Sequence, residues 1–119
     1  MKLSIVVPCY NEAENLPLIL RSFSKHIRDE NIEVILVNNG STDKTANVLE
    51  KLLPKYPFAR TVLVPVNQGY GYGILQGLKE ANGDYIGWTH ADMQTDPGDI
   101  VKAYHIIQNS SEDVYIKGH

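Results

Sequence analysis

The chain has 119 residues, 43% hydrophobic and 21% charged, with a formal net charge of −3 at pH 7. That length buries one core, so a single domain is expected, and so weak a negative charge gives no footing for nucleic acid or an anionic membrane surface. A lone cysteine excludes an internal disulfide and fits a cytoplasmic setting; no run approaches the roughly 20 apolar residues of a membrane span, and Leu3–Val7 is too short for a signal-peptide core.

Leu3-Ser4-Ile5-Val6-Val7 is an apolar run of strand length, stopped by Pro8, of the kind that suits a strand covered on both faces. A helix is predicted from about Leu16 to Ile27, because Leu16, Ile19, Leu20, Phe23 and Ile27 follow helical spacing; Asn15 caps it and Pro17 falls in the first turn. Glu33–Val37 is the second strand. Ser41 or Thr42 caps a helix carrying Val48, Leu49, Leu52 and Leu53, which Pro54 and Pro57 end. Thr61–Val64 is the third strand, followed by the glycine cluster Gly69, Gly71 and Gly73 and a short helix through Ile74, Leu75 and Leu78. Tyr85–Thr89 is the fourth strand; Pro97 opens a helix with Ile100, Val101, Tyr104 and Ile107 inward, and Val114-Tyr115-Ile116 reads as a fifth strand. Five short strands alternating with four helices predict an α/β domain, a doubly wound, mostly parallel Rossmann-like sheet spanning residues 1–119.

In such a sheet the loops after strands one, two and four converge at the topological switch point. Here they carry Tyr10, Asn11 and Glu12; Asn38, Asn39 and Ser41; and His90, Asp92 and Gln94. Hydrogen-bonding side chains and an aromatic ring suit a nucleotide. Asp92 is a hard anionic ligand with His90 beside it, which fits a divalent cation and a diphosphate. Taken alone, that stretch equally suits a solvated loop capping the next helix; three polar loops converging favour a ligand. The glycine cluster fails the dinucleotide fingerprint, since Ile74 and Gln76 stand where its last glycine belongs, and close packing is the better account of it. Cys9 reads as a small buried hydrophobe.

Four motifs occur in order: Val6-Val7-Pro8-Cys9-Tyr10-Asn11-Glu12, Val37-Asn38-Asn39-Gly40-Ser41-Thr42-Asp43, Asn67-x-Gly69 and Ala91-Asp92-x-Gln94. In these the chain resembles the family 2 glycosyltransferases of the GT-A fold across essentially its whole length. It is most similar to the subgroup that transfers sugars to polyprenyl phosphates, of the dolichol-phosphate mannose synthase type. The resemblance implies an inverting, metal-dependent transfer from a nucleoside-diphosphate sugar to a polyprenyl phosphate or saccharide acceptor, in cell-envelope polysaccharide biosynthesis. It implies that Pro8, Tyr10 and Glu12 wall the base and ribose and that Asn38 and Asn39 stand where the family usually has two aspartates. It also implies that His90-Ala91-Asp92 replaces the D-x-D motif, with Asp92 holding Mn²⁺ or Mg²⁺ and Gln94 lining the metal–diphosphate region. An amide donates as well as accepts, so base preference is expected to differ.

Members of that family are longer than this chain. Their general base is therefore expected beyond residue 119, so the chain reads as a nucleotide-binding half that is inactive alone, in a protein working at the inner face of the membrane. An open edge at Val114–Ile116 predicts a homo-oligomer. The second reading, prompted by His90 and the paired asparagines, is a non-catalytic nucleotide-sugar-binding module.

Overall fold

The computed structural model describes residues 2–27, 31–89 and 101–102. Its elements run β1 (Leu3–Cys9), α1 (Leu16–His26), β2 (Ile32–Asn39), α2 (Thr45–Leu52) with a 3₁₀ turn (Leu53–Lys55), β3 (Ala59–Val64), α3 (Tyr70–Glu80) and β4 (Tyr85–Trp88). The strands form one parallel sheet in the order β3-β2-β1-β4. The chain winds outward from β1 to β3, then crosses back to lay β4 against the other flank of β1. The fifth strand at Val114–Ile116 and the start of the helix at Pro97 lie outside the described residues; Val101 and Lys102 are helical, and Val101 is fully buried.

Alternation along β1 and β2 sorts the core into two layers. Leu3, Ile5, Val7, Val34 and Leu36 pack with Leu16, Ile19, Leu20 and Phe23 of α1 and Leu49 of α2. Val6, Ile35, Val37 and Val64 face the other way, where Leu78 of α3 and Trp88 pack against them. Both faces are covered, which is why Ile5–Val7 and Val34–Val37 are apolar at successive positions and why both strands are buried throughout except at Glu33. Burying one such side chain contributes about 1.5–3 kcal/mol, so these two strands anchor the domain.

Three local expectations are corrected. β1 does not stop at Pro8 but runs through it, with Pro8 opposite Val37 and Cys9 opposite Asn38. Lys2 and Val6 turn their carbonyls to β4, accepting from Tyr85 and Thr89, so Pro8 turns its missing N–H to the same flank. β4 ends at Trp88, opposite Val6, and no ladder bond is lost. Second, neither Ser41 nor Thr42 caps α2. The cap position is Lys44, which makes no side-chain cap; Asp43, one residue earlier, accepts the Thr45 N–H at 2.9 Å and the Thr45 hydroxyl, and these bonds with the Ala13 N–H outweigh slight burial and hold its pKa below the usual aspartate range. Third, Asn15 makes no side-chain cap on α1; its Nδ2 donates to Glu12 Oε2 at 2.8 Å, and the Glu12 carbonyl accepts from Asn15 and Leu16 instead.

The opposite edge of the sheet is tied by Glu33. Its carboxylate accepts the Ser4 hydroxyl, the Asn82 N–H at 2.8 Å and Arg60 Nε at 3.3 Å, while Gly83 N–H donates to Ser4 Oγ. Burial alone would raise the Glu33 pKa; the Ser4, Asn82 and Arg60 contacts, helped by Lys2, bring it below the ordinary value of 4.5. A depressed carboxylate stabilises the fold above its unfolded pKa and stops doing so as pH falls through the folded one. Glu33→Gln is therefore expected to lower Tm at neutral pH and to flatten the acid-side fall below about pH 4.5, measured by thermal denaturation from about pH 3 to 7. Parallel curves for variant and wild type would contradict this role.

Candidate functional site

At the C-terminal edge of the sheet, three loops meet around an open cleft of about 190 Å³ lined by Pro8, Cys9, Tyr10, Asn39, Asn67 and Gly69. Pocket volumes for whole drug-sized ligands start near 300 Å³, so a cleft of this size has room for about one ring. Tyr10, 45% exposed, lines that space just past the end of β1.

β2 ends in two asparagines, of which Asn39 lines the cleft and Asn38 faces the other side of the sheet. Both are 4% exposed. Asn38 Oδ1 accepts the Ser41 N–H at 3.3 Å, which starts the turn out of the strand. Asn39 donates from Nδ2 to the Gly69 carbonyl at 2.9 Å, and its Oδ1 is buried without a hydrogen-bond partner. The Asn39–Gly69 bond explains why an amide suits this position: a carboxylate there would face the carbonyl oxygen with no hydrogen to give.

The third wall was not expected to line the site. Asn67 Oδ1 accepts the Gly69 N–H at 2.7 Å, and Gly69 adopts φ 95°, a conformation open to glycine. That turn sets the start of α3 at the cleft, where the helix dipole favours negative charge. The glycine cluster divides in its roles. A Cβ on Gly73 would lie 3.1 Å from Asn39 Nδ2 and 3.6 Å from Pro8 Cβ, so this glycine packs α3 against the site, whereas Gly71 has open space around it. Gly77, four residues on, sits closest of all to the sheet, 2.3 Å from Val6 Cγ1 by the same measure. The 73/77 spacing marks one helix face and was the signal available in the sequence.

Of the residues expected to hold a nucleotide, the fold brings Pro8, Tyr10 and Asn39 together in the cleft, with Asn38 buried beside them. Glu12 is turned toward Asn15. Cys9 lines a wall at 1% exposure; its Sγ donates to the Val7 carbonyl, and burial, with Glu12 nearby, pushes its thiol pKa up, which leaves it unsuited to nucleophilic work. His90, Ala91, Asp92 and Gln94 lie outside the described residues. The described chain leaves β4 at Thr89, buried, donating its N–H to the Val6 carbonyl at 3.1 Å two residues before Pro8. Among the described residues no group of three or more His, Cys, Asp or Glu side chains forms a metal cluster, and no helix is long and apolar enough to cross a membrane.

A family model described as Glycosyl transferase family 2 matches residues 4–118. A dolichol-phosphate mannosyltransferase of Pyrococcus furiosus is 32% identical over 122 aligned positions, covering 99% of this chain and 34% of that protein. An undecaprenyl-phosphate 4-deoxy-4-formamido-L-arabinose transferase of Photorhabdus laumondii is 38% identical over 104 positions, covering 83% and 31%. The chain thus spans about a third of the length of these curated relatives. Among solved structures, a mannosyltransferase of Pyrobaculum calidifontis in complex with GDP-Man and Mn²⁺ superposes with a TM-score of 0.79 at 21% identity, over 92% of this chain and 33% of that one, a likeness of fold. TarS of S. aureus in complex with UDP-GlcNAc gives 0.77 at 27% identity, over 91% and 31%.

Proposed function

The chain belongs to glycosyl transferase family 2, with the Rossmann-like parallel sheet of the GT-A fold, and on that premise we propose that it forms the donor-binding part of an inverting glycosyltransferase using a nucleoside-diphosphate sugar. The observation that carries the reading is the meeting of Pro8, Tyr10, Asn39, Asn67 and Gly69 around a ring-sized cleft at the C-terminal edge of a parallel sheet. The acceptor is a polyprenyl phosphate or a saccharide, by analogy with the polyprenyl-phosphate relatives, and the work belongs to cell-envelope synthesis at the cytoplasmic face of the membrane.

In this reading Tyr10 and Pro8 flank the base or ribose, the buried amide of Asn39 forms the floor beneath it, and Asn38 shapes the turn that follows. Asn39 also fixes Gly69 and through it the start of α3, whose positive end faces the diphosphate side. The donor set fits a hard divalent cation: Asp92 supplies a carboxylate, the diphosphate supplies further oxygens, and His90 and Gln94 stand beside them in sequence. A Mn²⁺ or Mg²⁺ ion so held would neutralise charge on the departing nucleoside diphosphate.

The test is thermal stabilisation of the protein by uridine, guanosine and thymidine diphosphates, with and without Mn²⁺. A ligand at 100 times its dissociation constant stabilises by about 2.7 kcal/mol, readily seen as a Tm shift. Asp92→Ala is expected to remove the Mn²⁺-dependent part of that shift and leave the metal-free part. A full Mn²⁺-dependent shift in the variant would overturn Asp92 as the metal ligand, and no shift with any nucleotide would overturn the proposed donor site.

A further inference from the structure

Asn11 has a positive φ, 53°, the only non-glycine to do so among the described residues. Asparagine tolerates that left-handed region better than most residues, but something must hold it there. Its Oδ1 accepts the N–H groups of Thr42 at 2.7 Å and Asp43 at 3.2 Å, its Nδ2 donates to Thr42 Oγ1 at 3.2 Å, and its own N–H donates to Ser41 Oγ at 3.1 Å. The next two residues continue the seam, Glu12 N–H to Thr45 Oγ1 at 3.1 Å and Ala13 N–H to Asp43 Oδ2 at 3.4 Å.

Every one of these bonds joins the loop after β1 to the loop after β2 or to Thr45, the first residue of α2. Asn11, Thr42 and Asp43 are exposed, and of the seam's side chains only Thr45 is fully buried, so the seam adds little to the core. What it fixes is direction. The left-handed residue lies between Tyr10, which lines the cleft, and Glu12, whose carbonyl and carboxylate serve the start of α1.

We infer that Asn11 is a positioning residue for the cleft: by clamping the loop after β2 and holding a left-handed turn, it sets where Tyr10 stands over the Asn39 floor. This rests on the proposal that the cleft binds a nucleoside diphosphate. Preorganising a loop cuts the ordering cost of binding, so losing the clamp weakens the ligand without unfolding the protein.

The experiment is calorimetric titration of the purified protein with UDP and with GDP, each with Mn²⁺, beside thermal denaturation of the ligand-free protein. Asn11→Gly keeps the left-handed backbone unstrained and deletes only the side-chain clamp. It is expected to weaken the preferred nucleotide about tenfold while ligand-free Tm moves by no more than about 2 °C. Asn11→Asp keeps the Oδ1 acceptor, and the Thr42 hydroxyl turns to donate to the other oxygen, so its affinity returns to within about threefold of wild type. Wild-type affinity in Asn11→Gly overturns the inference, as does a loss that vanishes once corrected for the folded fraction, or an Asn11→Asp variant as weak as Asn11→Gly. Tyr10→Ala separates the two levels. If it is weakened while Asn11→Gly is not, only this inference fails; if wild-type protein binds neither nucleotide, or Tyr10→Ala binds at full affinity, the cleft reading fails and this inference with it.

Discussion

Gly40→Ala is expected to destabilise the fold by about 2–5 kcal/mol and to lower Tm by about 10 °C or more. Gly40 has φ 64°, where an added Cβ costs roughly 1–2 kcal/mol in torsion alone. The larger effect is steric: that Cβ would stand 2.1 Å from the Asn67 backbone nitrogen and 2.6 Å from the Val66 carbonyl carbon. Main-chain atoms do not rotate away, so the loops after β2 and β3 must separate, and Asn67 is a wall of the cleft. Nucleotide-induced stabilisation should therefore disappear along with the lost Tm. Gly40→Asn checks the assignment, because asparagine tolerates the torsion but keeps the collision. An asparagine variant as stable as wild type would show that torsion, not crowding, selects glycine here.

The second large effect opposes a simple propensity argument. In a helix interior, glycine to alanine ordinarily gains up to about 1 kcal/mol. Gly77→Ala is instead expected to cost about 1–3 kcal/mol net, read from denaturant unfolding. The new Cβ would lie 2.3 Å from Val6 Cγ1 and 3.0 Å from Val37 Cγ2. Both valines are fully buried in central strands, and β-branching leaves them few rotamers with which to yield. Combining Gly77→Ala with Val6→Ala should recover about 1 kcal/mol or more relative to the sum of the single changes. A more stable Gly77→Ala protein would mean that α3 slides off the sheet at no cost.

The elements whose shape is set by their own residues were legible. The unbroken apolar runs of β1 and β2 and the helical spacing of Leu16, Ile19, Leu20 and Phe23 predicted both strands and helix, and the alternation of the two predicted the parallel sheet. What escaped depends on partners distant in sequence. Pro8 is allowed in β1 because of where β4 ends, some eighty residues on. Ser41 and Thr42 look like helix caps, yet both are drawn across to Asn11, which leaves the first N–H of α2 to Asp43. β3 begins two residues earlier than its apolar run because Arg60 is held by Glu33 and Glu80. In the cleft, the strand ends point to Tyr10 and Asn39, while Pro8 is indicated only by the family resemblance. The motif alone gives Asn67 no task and leaves Gly69 to close packing, since only the Asn39–Gly69 bond reveals that the third loop closes the wall.

Strand order also carries a consequence for how the chain is made. β1 lies in the middle of the sheet, but the neighbour on one of its flanks is β4, with Lys2 bonded to Asp84 across 82 positions. At ribosomal rates of roughly 5–20 residues per second, that flank waits about 4–16 s for its partner to be synthesised. Meanwhile β1, β2 and β3 can pair, leaving the most apolar strand of the domain as a temporary edge beside the tunnel exit, the kind of edge that recruits other chains. Contacts of such long range also slow folding in free solution. The first strand is thus the one that most needs shielding by a chaperone during translation, and the last described strand is the one whose arrival ends that need.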